Sequence, residues 1–309
     1  MFESHLTTPV AFFIFNRPHL TQKVFEAIRD AKPAMLLVVA DGSRSDRAGE
    51  AELCAQTRAI IKQVDWHCEV LTNFSEVNLG CKRRVSSGLD WVFDTVEEAI
   101  ILEDDCLPHA TFFPFCEELL EHYRYDSRIM AISGDNFQFG RRRTADSYYF
   151  SRYNHCWGWA SWRRAWRYYD VEMSLWSTVK QGNWLQDMLQ DDRAIQYWTE
   201  LFEAVSSDRL DTWDYQWTFA CWIQSGLTVL PNVNLVSNIG FHLESTHAKD
   251  ASSRFASIAT KALQCPLKHP LFVVRDALAD GLTQQNVFYQ SHFKYLKQKL
   301  KARWSWLKK

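Results

Sequence analysis

The chain has 309 residues, long enough to bury one large core or one core with a modest subdomain. Its hydrophobic fraction of 47% and formal charge of -2 are ordinary for a globular protein, so composition argues neither for nucleic acid nor for a strongly acidic partner. The 14 Trp, 11 Tyr and 20 Phe supply faces that stack on sugars or bases, which favours a cleft-bearing domain.

Residues 9–15 read as a short buried strand, broken by Asn16-Arg17-Pro18, and residues 20–29 as a helix. A second strand, 35–40, ends at Asp41-Gly42-Ser43, and 50–63 has helical composition. Residues 69–72 suit a third strand. Asn78-Leu79-Gly80 marks a turn, and 81–96 a helix with Leu89, Val92, Phe93 and Val96 inward. The short apolar strand 99–102 runs straight into Glu103-Asp104-Asp105, and 112–123 is again helical. Strands and helices alternating with short links predict an α/β fold with a mixed, mostly parallel sheet flanked by helices. Ligands collect at the carboxyl ends of such strands, where Asn16, Arg17, Asp41 and the three acids all fall.

Beyond residue 128 the pattern loosens. Residues 129–133 read as a strand, 138–147 as a polar stretch and 154–166 as a Trp-dense segment around Gly158. Residues 184–206 fit a pair of helical turns or one longer helix, 213–222 a helix, and 227–230 a strand ended by Pro231. A loop rich in Asn, Gly, His and Ser occupies 237–253. With no internal repeat or long linker, one catalytic domain is expected over 1–288, with 9–127 as the nucleotide half and 128–288 as the acceptor half. Residues 289–309 form a basic amphipathic tail. From Lys294 on it holds seven Lys or Arg and no acid, interleaved with Tyr295, Trp304 and Trp306, and it suits peripheral contact with an anionic membrane or a solvated terminal helix.

The eight cysteines contain no C-x-x-C pair and read as buried thiols in a reducing compartment. The N-terminus has no basic region followed by an apolar one, and apolar runs such as 10–15 are too short to span a bilayer. The expected location is the cytoplasm, with contact at the inner face of the membrane as an option.

Three adjacent acids after a buried strand repel one another unless something offsets their charge. A hard divalent cation does so, since Mg²⁺ or Mn²⁺ takes oxygen ligands and binds phosphate oxygens too. Side-chain alternation puts Glu103 and Asp105 on one face and Asp104 on the other for as long as the strand lasts. The competing reading is a solvated strand end bearing three surface acids.

Residues 9–120 resemble the nucleotide-binding half of glycosyltransferases with the GT-A (Rossmann-like) fold. Glu103-Asp104-Asp105 is similar to their DXD motif, in the Glu-Asp-Asp form of the N-acetylglucosaminyltransferase I family. Val38-Val39-Ala40-Asp41-Gly42-Ser43 resembles the strand end of family 2 transferases, where the acid recognises uracil. The whole looks closest to a bacterial group labelled family-2-like glycosyltransferases or "hemolytic protein HlpA-like". The resemblance spans most of 9–247, is specific at the Glu-Asp-Asp segment and weaker after it.

By this resemblance Asp105 would ligate Mn²⁺ or Mg²⁺ on the donor diphosphate, with Glu103 and Asp104 at the nucleotide and Asp104 near the ribose. Asp41 would accept from the uracil N–H, with Asn16 and Arg17 beside the base. Lys82 or Arg83 would supply a cation near the diphosphate. The stretch 211–217 resembles the Trp-Asp-Asp-Trp-like segment holding the general base, which makes Asp214 the candidate and Asp211 the reserve. Helix capping is the competing role for either acid. Trp157, Gly158 and Trp159 match the aromatic stretch that lines the sugar and acceptor pocket, although one or more of these aromatics would be core. His247, or else His242, matches a late metal-shell histidine.

The implied activity is inverting transfer from a UDP-sugar to a glycan or lipid-linked glycan acceptor, as in surface-polysaccharide assembly. The rivals are nucleotidyl transfer on a similar fold, weakened by the lack of a Gly-rich basic loop after the first strand, and a non-catalytic membrane-associated protein.

Overall fold

The computed structural model describes residues 6–241, 254–256 and 258–289. His242, His247 and the tail beyond Tyr289 lie outside the described residues. Strand β1 (Val10–Ile14) sends Val10, Phe12 and Ile14 into one buried cluster and Ala11 and Phe13 into another, so the strand is covered on both faces. Helix α1 (Pro18–Ala31) opens on Pro18, whose ring fixes the backbone for a first helical turn, and buries Leu20, Val24, Phe25 and Ile28. Strand β2 (Met35–Ala40) follows, then α2 (Glu50–Ala59), which tightens into a 3₁₀ turn over Ile60–Gln63. After β3 (Glu69–Phe74), helix α3 (Gly80–Thr95) turns Leu89, Val92 and Phe93 onto the second face. β4 (Glu98–Glu103) returns through the middle of the sheet.

The rest of the chain contributes β5 (Cys106–Pro108), α4 (Phe112–His122), β6 (Ile129–Ser133), β7 (Tyr148–Ser151) and β8 (Trp159–Trp162). There follow α5 (Arg163–Trp166), α6 (Trp176–Gln181), α7 (Trp184–Leu189), α8 (Asp192–Ser206) and α9 (Asp214–Ile223). β9 (Leu227–Pro231), β10 (Val236–Asn238) and α10 (Ala277–Thr283) complete the described elements.

Eight strands form one sheet in the order β3-β2-β1-β4-β8-β6-β9-β7. The first four run parallel, β8 is antiparallel to both neighbours, β6 and β9 are parallel, and β7 closes the edge antiparallel. α1 and α4 cover one face, while α3, α8 and α9 cover the other. This is the expected mixed, mostly parallel α/β architecture of the Rossmann-like kind. The 9–127 and 128–288 portions share this one sheet, because β8 joins β4 to β6. A separate two-stranded ladder pairs β5 with β10.

The structure departs from the sequence reading mainly in short strands. β8 lies inside the segment expected to line a pocket, and Trp159 and Trp162 enter opposite clusters, so its alternation is hidden by aromatics on both faces. β5, β7 and β10 span only three or four residues, too few to show a period. Residues 184–206 take the two-helix form, broken at Gln190 in the left-handed region.

α3 packs on the sheet at Gly88, where a Cβ would lie 2.6 Å from Val39 Cγ1 and 2.7 Å from Phe13 Cε1. Gly88→Ala should therefore lower unfolding free energy by about 1–3 kcal/mol through overpacking. A urea melt checks it, and an unchanged midpoint would mean that α3 has slack at this contact.

Candidate functional site

From β1 the chain moves to β2 and β3 on one side, while β4 pairs with β1 on the other. The crevice beyond the carboxyl ends of β1 and β4 is thus the point where connections diverge, the usual place for a ligand in such a sheet. Arg17 sits just after β1, held by the start of α1, where its carbonyl accepts from the Leu20 and Thr21 amides. Its guanidinium crosses to β4 and pairs with Asp104 and with Asp105, the latter at 2.9 Å. The Phe15 amide donates to Asp104 Oδ2 at 3.3 Å. Burial opposes the charge on Arg17, but Asp104 and Asp105 outweigh it and raise its pKa.

β4 ends at Glu103, and the alternation expected across the three acids ends with it. Asp104 and Asp105 turn together onto Arg17, while Glu103 is left on the side of α3 and α9 and accepts no hydrogen bond among the described residues. Burial raises the pKa of Glu103, with Asp105 and Asp104 adding to it and Asp214 contributing. Asp104 is raised by burial too, and Arg17 pulls it back. Arg17, expected beside a base at the first strand end, lies at that strand end and pairs with the acids. Among the described residues no group of three or more His, Cys, Asp or Glu side chains is arranged to hold a metal ion.

Asp41 is 7% exposed and its carboxylate accepts from four donors. They are the amides of Gly42, Leu79 and Gly80 and Asn78 Nδ2, at 2.9 to 3.1 Å. It therefore staples the β2 end to the turn that launches α3. Burial raises its pKa and these amides oppose the shift. Asn16 Nδ2 donates to Glu50, whose carboxylate is buried and ion-paired to Arg44, and Arg44 lies over the Phe15 ring.

Asp211 accepts from the Cys81 and Lys82 amides at 3.1 and 2.8 Å, which places it at the N-terminus of α3. Lys82 is buried and pairs with Asp208 at 2.7 Å, and Arg83 is exposed and meets Glu172 at 3.6 Å. Asp214 is the first residue of α9, and the Thr212 hydroxyl donates to its Oδ1. Its charge adds to the raised pKa of Glu103, Cys81 and Cys156.

Trp157 is half-buried between Phe137 and Phe241. Gly158 has φ +70°, and the space of its missing Cβ is taken by Val236 and Leu102 side chains, so packing rather than a ligand demands this glycine. Trp159, expected on the pocket wall, is 1% exposed and packs against Trp213, Trp166 and Trp217, and so belongs to the core. Ile239 donates to the Asp105 carbonyl at 2.8 Å, and a Cβ on Gly240 would collide with the Asp105 side chain. The β10 end is thus laid directly on the acid turn.

Sequence reasoning passed over Glu50, Arg44, Asn78 and Asp135. Asp135 follows the β6 end and is 1% exposed; its Oδ2 accepts from the Trp157 amide and its Oδ1 has no partner among the described residues. Burial raises its pKa well above the ordinary range. An acid two residues after a five-residue apolar strand was the available signal.

No family model matches the chain, and no curated protein matches it. It is similar to a solved cytidylyltransferase from Leptospira borgpetersenii serovar Hardjo-bovis (10% identity, TM-score 0.32), covering 53% of this chain and 63% of that one. It is also similar to a UDP-glucose pyrophosphorylase complexed with UDP-glucose (10%, 0.27), covering 47% and 62%. A third is HddC from Yersinia pseudotuberculosis (9%, 0.32), covering 54% and 83%. The matched regions thus span less than two thirds of the first two proteins, and a likeness of this size assigns no activity.

Two outcomes follow from the geometry. Arg17→Met should destabilise the fold by about 3 kcal/mol, because it strands buried carboxylates, and Asp104→Asn in the same chain should recover part of that loss. Additive losses in denaturant melts would dissolve the clamp. His155 is 7% exposed and burial lowers its pKa to about 3, so the fold holds it neutral while the unfolded chain protonates it below its ordinary 6.5. Its contribution to stability is then full above about pH 6.5 and is lost on acidification by up to about 1.4 kcal/mol per pH unit. His155→Gln should flatten the pH dependence of the urea midpoint relative to wild type, and parallel curves would rule that out.

Proposed function

We propose that the chain is an enzyme acting on a nucleotide-sugar, and that it transfers the sugar, with inversion, from a UDP-sugar to a glycan or lipid-linked glycan acceptor. The observation that carries this reading is the pairing of Arg17 with Asp104 and Asp105 at the carboxyl ends of β1 and β4, with Glu103 beside these acids and Asp214 adding to its raised pKa. Asp41 and Asn16 at the neighbouring strand ends would flank the base, Asp41 through whichever of its acceptor positions the nucleotide displaces. Lys82 and Arg83, at the head of α3, would face the diphosphate only on leaving their present acids. Asp214 would take the proton of the acceptor hydroxyl as that oxygen attacks the anomeric carbon, with the Thr212 hydroxyl orienting the carboxylate. Trp157 is the aromatic available to a sugar face.

The reading includes a hard divalent cation, Mn²⁺ or Mg²⁺, which takes oxygen ligands of the kind these carboxylates offer. Two carboxylates share the Arg17 guanidinium, and Glu103 accepts no hydrogen bond among the described residues. Asp105 would hold the ion with Glu103 alongside, and phosphate oxygens would complete the shell, as is usual where a protein offers one or two carboxylates. Bound there, the cation would stabilise charge on the departing diphosphate. A late histidine, His247 or His242, would join that shell.

The second reading is nucleotidyl transfer, the activity named for two of the similar structures. Likeness of that size does not choose between the two, and the leaving group does. Calorimetric titration of UDP should show binding that requires both Mn²⁺ and Asp105, absent in Asp105→Ala. With UDP-sugars the enzyme should then release UDP without added pyrophosphate. Formation of UTP and sugar 1-phosphate only when pyrophosphate is supplied would establish the second reading, and no binding of UDP, GDP or CMP would overturn both.

A further inference from the structure

The proposed transfer gives Asp135 no task, although burying this acid is costly. It is 1% exposed, and its Oδ1 is the one carboxylate oxygen among the described buried side-chain atoms without a hydrogen-bond partner. Its amide donates to Ser133 Oγ and its Oδ2 accepts from the Trp157 amide, each at 3.1 Å. The side chain is thus held in place with one oxygen to spare. A buried carboxyl group with an unmet oxygen lowers stability, and such a group is expected where a ligand supplies the missing bond.

Strand register sets what lies beside it. Ile101 of β4 and Ser133 of β6 both stand opposite Trp159 of β8. The Gly134 amide donates to the Gly158 carbonyl at 2.8 Å, so β6 and β8 stay joined past that pair. Two residues on from the Trp159 row, Glu103, Trp157 and Asp135 therefore share a row across the three strands. Trp157 is half-buried there, and β4 and β6 are two strand spacings apart, about 10 Å. The sheet order also relates this row to the nucleotide. Asp41 and Asn16 lie at the ends of β2 and β1, Asp105 follows β4, and β8 and β6 come next. A nucleotide-sugar with its base at β2 and β1 and its diphosphate at β4 would carry its sugar over the ends of β8 and β6, beside Trp157 and Asp135.

We propose that Asp135 is a binding residue for the transferred sugar and that its Oδ1 takes a ring hydroxyl as partner. The inference rests on the sugar-transfer reading and names the part of the site that reads the sugar. An oxygen fixed by packing distinguishes a hydroxyl from its absence or its epimer, because the wrong ligand leaves a buried polar group unpaired.

The test is calorimetric titration of the full chain, with Mn²⁺ present, comparing wild type, Asp135→Ala and Asp135→Asn. The ligands are UDP, UDP-glucose, UDP-galactose and the two corresponding UDP-N-acetylhexosamines. Asp135→Ala should leave UDP binding unchanged, weaken the most tightly bound UDP-sugar at least about tenfold and narrow the differences among the sugars. Asp135→Asn keeps the shape and an acceptor for the Trp157 amide. It should therefore melt as wild type does and still weaken that UDP-sugar more than UDP, which carries the comparison if the alanine variant unfolds. Equal weakening of UDP and UDP-sugar would overturn the inference, and so would unchanged affinity for both. Either result would make Asp135 a staple for the Trp157 turn and leave the sugar-transfer reading standing. Failure of wild type to bind UDP would instead overturn the UDP-sugar reading, and the inference with it.

Discussion

Carboxylates placed side by side at the end of a buried strand repel one another, and each is deprived of water by the same packing that makes the strand. Arg17 resolves much of this conflict by reaching from the end of β1 to Asp104 and Asp105. That reach is possible only because β1 and β4 are parallel neighbours, with Phe13 opposite Glu103, and because Pro18 starts a helix at once and fixes the chain around Arg17. The ion pairs are partly buried, so their worth lies less in net stability than in forbidding other arrangements of the two strand ends.

The other elements hold this crevice in shape. Asp41 binds the turn before α3, Asp211 caps α3 from the far half of the chain, and β10 lies against Asp105 with a glycine at the contact. The two halves thus meet at one set of strand ends. Glu103 stays on the side of α9, away from Arg17, and burial with the two neighbouring acids raises its pKa.

Much of the first half was legible in the sequence. β2 and β6 fall on the residues expected, and β1, β4, α1 and α3 within a few, because periodicity and Gly or Pro breaks agree there. What sequence could not reveal was which partner each polar group would choose. Arg17 and Asp104 are 87 residues apart, and Asp41 spends its oxygens on Asn78 and three amides. Trp159 illustrates the same limit, since an indole beside a glycine reads alike in a pocket and in a core, and only the indoles of Trp213 and Trp217 decide it. Short strands such as β5 and β10 are made by pairing rather than by local preference.

The central claim is that the crevice between β1 and β4 receives a nucleotide. Photolabelling with 5-azido-uridine diphosphate, followed by peptide mapping, tests it most directly. The account requires the label within 15–17, 41–44 or 78–84, competed away by unlabelled UDP. Competed labelling elsewhere, for example on the surface at Arg142, Arg143, Thr144 and Ala145, would contradict it.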